Sequence, residues 1–285
     1  MVLLSSHKFL IVFYALCILH RSLSFHLSSR KFSFKNYGSV GPKSKGRDIS
    51  LGAADEAGDS ETINDVGNVD WRDFRAKLVA QYSGKERENW TEDRWAHDIG
   101  QIENGCLLLA SDVMDDDTFW QSVILVLNHD PDNGTFGIVL NRPTGAHVCN
   151  VRDIVPALRE AFGEAPLYLG GPMGLDEVNV VHAVEGVEGA IEIRKGLYHG
   201  GVAGLQERAE QGQLDLAKVR FEAGHAAWNP GQLEQEIEKG WWYPAVCSPE
   251  LVVRPCIGLP VPLWCQILDL MGGEYAEIGK KNRRS

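Results

Sequence analysis

Residues 121–143 read QSVILVLNHDPDNGTFGIVLNRP, and this stretch decides the fold. Two apolar runs, residues 123–127 and 136–140, flank a loop that holds Asp130, Pro131, Asp132, Asn133 and Gly134. Asn-Gly tolerates the positive φ of a tight turn, and Pro131 presets φ at the start of the loop. The runs are β-branched, short and apolar on both faces, which suits buried strands and not an amphipathic helix. A central β-hairpin is therefore predicted.

Upstream, residues 105–110 (GCLLLA) read as another buried strand, followed by an acidic loop with Asp115, Asp116 and Asp117 in succession. Adjacent side chains point apart and lack the alternating oxygen spacing of a calcium loop, so solvation explains them. Downstream, Pro143 pushes Arg142 out of helical space and gives the hairpin a rigid exit. Pro156 suits the first turn of a helix carrying Leu158 and Phe162. Residues 167–169 form a strand that runs into Gly170, Gly171 and Pro172, where backbone can approach a second strand or a ligand closely. Residues 178–184 and 190–193 read as strands and 202–211 as a helix. Near residue 230, Asn229 suits a helix N-cap, with Pro230 in the first turn and Gln232 completing a capping box. Leu233, Ile237 and Trp241 would share a face, stapled by Trp228, with Gly240 as the stop. A C-terminal helix carries Leu263, Ile267, Leu268 and Met271 and ends at Gly272-Gly273.

The net charge of −11 is unevenly spread. Residues 1–47 hold eight Lys/Arg and no acid, leaving twenty basic against thirty-nine acidic residues, net −19, in the rest. Such a body is repelled by phosphate backbones, so nucleic acid is not an expected partner. Cys17 falls in a segment expected to be removed. The other five cysteines, Cys106, Cys149, Cys247, Cys256 and Cys265, are odd in number and lack a CxxC pair. They read as reduced thiols, not as a disulfide framework or zinc site.

The apolar run 9–19 behind Lys8 is too short to span a bilayer comfortably and suits a signal peptide, cut after residue 24. Residues 25–47 are Ser- and Lys/Arg-rich, like a transit peptide, and the pair resembles the bipartite presequence of algal plastids with extra membranes. The alternative is secretion. Residues 48–69 form an acidic linker unable to bury a core. Residues 70–99 are expected to be a helical extension capped by Asp70, with Trp71, Phe74, Leu78, Val79 and Tyr82 turned inward and Trp90, Trp95 and Ile99 wrapping the main domain. The main domain spans residues 100–278, and 279–285 is a basic tail expected to fray, with Lys280, Lys281, Arg283 and Arg284.

GCLLLASDVMDDDTFWQSVILVLNH, GTFGIVLNRPTG, LYLGGP, AWNPGQLEQEIEKGWW and LWCQILDLMGGEYA, in this order, resemble the AlgH/YqgE family. DWRDFRAKLVA and WAHDI resemble the extended N-terminus of its plant and algal branch. The resemblance implies a single compact α+β domain with a coiled, branching mixed β-sheet and a few covering helices. The family takes its name from a bacterial regulator of alginate production, but no DNA-binding motif occurs here.

No stretch carries a recognisable catalytic constellation. Ser111 and Ser122 lack a nucleophile elbow, His129 beside Asp130 reads as turn chemistry, His182 as a core histidine, and His199 and His225 are isolated. Residues 196–204 contain several glycines but no following Lys-Ser/Thr, so they do not form a phosphate loop. The best candidate ligand-binding group is Asn141, Arg142, Gly170, Gly171, Pro172, Trp228 and Gln232, all at strand ends or helix starts. Arg142 could clamp an anion. The expected protein is thus a non-enzymatic plastid protein that acts through a protein or small anionic partner, with no cofactor or metal implied. The alternatives are a hydrolase-like enzyme using the loop cluster around Arg142, and a transcriptional regulator.

Overall fold

In a computed structural model, the stretch that opened the sequence reading lies in the middle of an eleven-stranded sheet. The structure describes residues 70–283 apart from 83–89, 92, 115 and 258, and residues Asp70–Ser285 form one compact unit. The presequence and linker expected over residues 1–69, like Asp115, lie outside the described residues.

In chain order the elements are α1 (Trp71–Tyr82), β1 (Ala96–Asp98), β2 (Leu107–Ala110), β3 (Val123–Asp130), β4 (Gly134–Val139), β5 (Pro143–His147), α2 (Pro156–Phe162), β6 (Pro166–Leu169), β7 (Met173–His182), β8 (Ala190–Arg194), β9 (Leu197–Gly200), α3 (Val202–Glu210), β10 (Val219–Trp228), α4 (Gln232–Glu238), β11 (Trp242–Cys247), α5 (Pro249–Val253), α6 (Leu263–Met271) and α7 (Gly273–Asn282). The sheet runs β1-β11-β2-β3-β4-β10-β7-β9-β8, and β5 and β6 branch from it. All pairings are antiparallel except that of β6 with β10. This is the α+β architecture expected.

The hairpin closes at Asp130 opposite Gly134. Asp130 stops the turn by accepting from the backbone N–H groups of Asp132 and Asn133 and from the Asn133 amide at 2.7 Å. Those donors hold its carboxyl below the usual range. Strand β2 and residues 123–127 of β3 are buried on both faces, as their unbroken apolar runs require. On one face Leu107, Leu109, Val123 and Leu125 pack against α6, whose Trp264 indole donates to the Ala110 carbonyl. On the other, Cys106, Leu108, Ile124 and Val126 meet Trp228, Leu233 and Trp242. A third cluster joins α2 and α3 to β7 and β10 through Phe162, Leu205, Val180 and Phe221.

The branch point lies on β10. Its residues Ala226–Trp228 pair with β4, while Phe221–Ala223 pair with β6 along the same edge. Gly170 bridges the handover, accepting from Val139 and donating to Ala223. A Cβ on Gly170 would stand 2.3 Å from the Gly224 carbonyl oxygen, and one on Gly171 2.1 Å from the His225 carbonyl carbon. The close approach anticipated for this glycine pair is therefore to another strand.

Four local expectations need correction. Asn229 caps no helix: its carbonyl accepts from Gln232 in a tight turn, Gly231 takes the left-handed conformation (φ 74°), and α4 starts only at Gln232. Trp241 follows Gly240 outside α4 and is exposed, so it leaves the face formed by Leu233 and Ile237. In α1, Trp71, Phe74 and Leu78 face outward, while Ala76 is buried and Arg72 reaches Glu103 at 2.9 Å. At the other end the chain stays helical past residue 279, and Arg283 pairs with Asp269.

A candidate docking cleft walled by tryptophans

The end of β10, the tight turn and α4 bring Trp228, Gln232 and Glu236 to one side of the sheet, and β11 adds Trp242. A single carboxylate organises the group. Glu236 Oε2 accepts from the indole N–H of both Trp228 and Trp242 at 2.8 Å, and Oε1 accepts from the Gln232 amide at 2.9 Å. Gln232 Oε1 in turn accepts from the Asn229 backbone N–H. The two indoles stand edge-to-face at 82° with centroids 5.9 Å apart. Phe119 adds a second edge contact to Trp242.

These rings form the wall of an open cleft of about 700 Å³, within the size range of ligand pockets. Its rim carries Val113, Met173 and Trp241, large apolar side chains left 65, 44 and 38% exposed. Asp116 and Asp117 stand exposed at the mouth, so among the described residues three carboxylates and no basic side chain line the cleft. The Trp241 ring already carries a cation, the Lys239 ammonium 5.0 Å from its centroid.

The residues singled out in the sequence separate into two groups. Pro172, Trp228 and Gln232 line the cleft. Asn141, Arg142, Gly170 and Gly171 do not. The Asn141 amide spans the turn before β3, accepting from Val123 and donating to Gln121, whose φ is 51°. Arg142 donates to the carbonyls of Trp120 and Asn141. Both residues brace the turn that follows Phe119 and so act on the cleft wall at one remove.

Glu236 and Trp242 were not singled out in the sequence, where Trp241 and Asp117 read only as a helix-face residue and a solvated loop acid. Spacing alone could have flagged Glu236, which lies one helical turn after Gln232 and faces it. Arg220 and Glu222 were also missed, although their i, i+2 spacing puts them on one face of β10. They form a buried ion pair at 2.9 Å, with the Arg220 guanidinium 4.1 Å over the Tyr168 ring. Burial pushes the Glu222 carboxyl up against the opposing effect of Arg220. Arg220 and Tyr168 lie beside a second cavity of about 470 Å³, which Cys149, Phe162 and Pro255 also line.

The five described cysteines are free, and burial pushes the Cys106 and Cys247 thiols up to about 12, so they are poor nucleophiles. His129 ties the hairpin to α4, with Nδ1 2.8 Å from the Thr135 hydroxyl and Nε2 3.7 Å from Glu234. Among the described residues, no group of His, Cys, Asp and Glu is arranged to hold a metal ion, and no helix is long and apolar enough to cross a membrane.

A branched α+β sheet domain with an aromatic, acidic cleft is thus defined. A profile of the AlgH-like family matches residues 107–276, and the chain belongs to that family. It is 32% identical over 181 residues to a UPF0301 protein of Chlorobium limicola, covering 63% of this chain and 92% of that one. A UPF0301 protein of Streptomyces avermitilis is 35% identical over 181 residues, covering 61 and 89%. Among solved structures, protein DIP2367 of Corynebacterium diphtheriae matches 63% of this chain and 93% of its own with a TM-score of 0.53 at 28% identity.

Proposed function

We propose that the domain is a non-enzymatic docking module, working in a plastid, whose cleft receives a basic, apolar segment of a partner protein. One observation carries the reading: exposed apolar side chains and, among the described residues, three carboxylates and no basic side chain converge on one tryptophan-walled cleft. Contiguous exposed apolar surface marks interaction sites, and tryptophan faces attract ammonium and guanidinium groups. A small anion, the other occupant expected, would meet those carboxylates, and Arg142 already donates to two carbonyls. The enzymatic alternative finds no nucleophile at this place: among the described residues no Ser, Thr, Cys or His lines the cleft, and both oxygens of Glu236 accept from neutral donors. The regulator alternative meets the same negative charge that opposes nucleic acid.

The cleft reading is tested by titrating the protein with a Lys/Leu dodecapeptide and its Glu/Leu counterpart while following tryptophan emission. Saturable quenching by the Lys peptide alone is expected, weakened by Trp241→Ala and by added salt. Equal response to both peptides, or none, would remove the basis for the reading. The plastid address is tested by fusing residues 1–60 to a fluorescent protein; export of the fusion from the cell counts against it.

A further inference from the structure

The cleft has a complementary surface on the same chain. Helix α1 has twelve residues, about 18 Å of length at 1.5 Å per residue. Its inner side is pinned to the domain. Asp70 accepts from the Arg72 backbone N–H at 2.9 Å, Arg72 reaches Glu103 and the Asn104 carbonyl, and Ala76 is buried. Its outer side carries Trp71, Phe74 and Leu78 at 49, 56 and 36% exposure, the i, i+3, i+7 spacing of a helix that presents anchors to a groove. Arg75 stacks on the Trp71 ring at 4.1 Å and steadies it. The exposed charged side chain among these anchors is the ammonium of Lys77.

Resting on the docking reading, we propose that the segment received by the cleft is the outer face of α1 from a second copy of this chain. Aromatic and aliphatic anchors with an ammonium between them meet aromatic walls, an apolar rim and the carboxylates of Asp116 and Asp117. Among the described residues of one copy both surfaces remain exposed and do not meet, so neither satisfies the other in place. Reciprocal docking gives a closed two-fold dimer with two equal contacts. Helix α1 precedes the family-matched residues 107–276, so the contact is an addition to the family scaffold.

The test is sedimentation velocity on the full chain across a dilution series. A concentration-dependent dimer is expected. Phe74→Glu, at an exposed helix position, and Asp117→Lys, at the cleft mouth, should each weaken it roughly tenfold or more. Mixed in equal amounts, the two variants should recover association through one intact contact, because the first keeps its cleft and the second keeps its helix face. A chain that stays monomeric at every concentration overturns the inference, as does a dimer indifferent to both substitutions or a mixture that recovers nothing. The Lys/Leu dodecapeptide separates the two levels. If a monomeric chain still binds it, only self-docking falls; if it binds nothing, the cleft reading falls too.

Discussion

Replacing Glu236 with alanine would leave two indole N–H groups, on Trp228 and Trp242, without their shared acceptor. The rings are 6 and 3% exposed, so water cannot fully take the carboxylate's place. A hydrogen bond to a charged group contributes about 1.5–3 kcal/mol. The two together, reduced for partial hydration from the open cleft, put the loss near 3 kcal/mol. For a domain of this size that is a fall in Tm of about 6–12 °C. Glu236→Gln is the informative contrast. Its amide oxygen can occupy the Oε2 position and keep both indoles, while its NH₂ would then face the donor of Gln232, a cost of about 1 kcal/mol. Urea unfolding followed by tryptophan emission and near-UV circular dichroism measures both variants. If alanine costs less than about 0.5 kcal/mol, or glutamine costs as much as alanine, the shared carboxylate does not organise the cleft and the argument built on it fails.

Gly170→Ala places a Cβ 2.3 Å from the Gly224 carbonyl oxygen, so expression and thermal denaturation should show a loss of about 3 kcal/mol or failure to fold. Asn229→Ala should change unfolding free energy by less than about 0.5 kcal/mol, since its side chain accepts no capping bond. For pH, burial lowers His182 from 6.5 to about 4, and its Nδ1 accepts from the Val184 N–H, so the fold favours the neutral ring. Its stabilising contribution is complete above pH 6.5 and is lost as pH falls from 6.5 towards 4, with His199 and His225 shifted the same way. Allowing for solvent screening, about 2 kcal/mol should go over that window in urea midpoints; a flat profile there would contradict it.

What was legible in the sequence was local. The hairpin announced itself through uninterrupted apolar runs and a turn whose Asp130 and Gly134 act within five residues of one another. Gly170-Gly171 signalled close approach, but what approaches them is Gly224 and His225, more than fifty residues away, and nothing in the residues nearby names them. Strand β10 alternates over VRFEA as a half-exposed strand would, but it is buried along most of both faces with Arg220 and Glu222 paired inside, so the alternation does not disclose its central place. The displaced start of α4 has a similar cause: Asn229, Pro230 and Gln232 fit a cap equally well as a turn, and the left-handed Gly231 decided between them. In α1 the apolar spacing gave the face correctly and its direction wrongly. Periodicity tells which side chains align but not what they align against. Of the cleft, Pro172, Trp228 and Gln232 were visible as chain punctuation. Glu236 looked like part of a solvated helix face because the indoles that occupy it come from outside the helix.

The divided edge of β10 bears on how the domain comes apart. Strand pairing links the arm β1-β11-β2-β3-β4 to the arm β7-β9-β8, with β5 and β6, through this one strand. Neither arm can peel away and leave β10 intact, because each supplies partners to a different part of it. The amides of β10 should therefore exchange with deuterium only through global opening, at the slowest rates in the chain, while β8 and β1 at the two margins fray first. The strand acts as a cooperative tie that makes one unfolding unit of two sheet arms, so a lesion at the branch should appear as a loss of exchange protection in both arms at once.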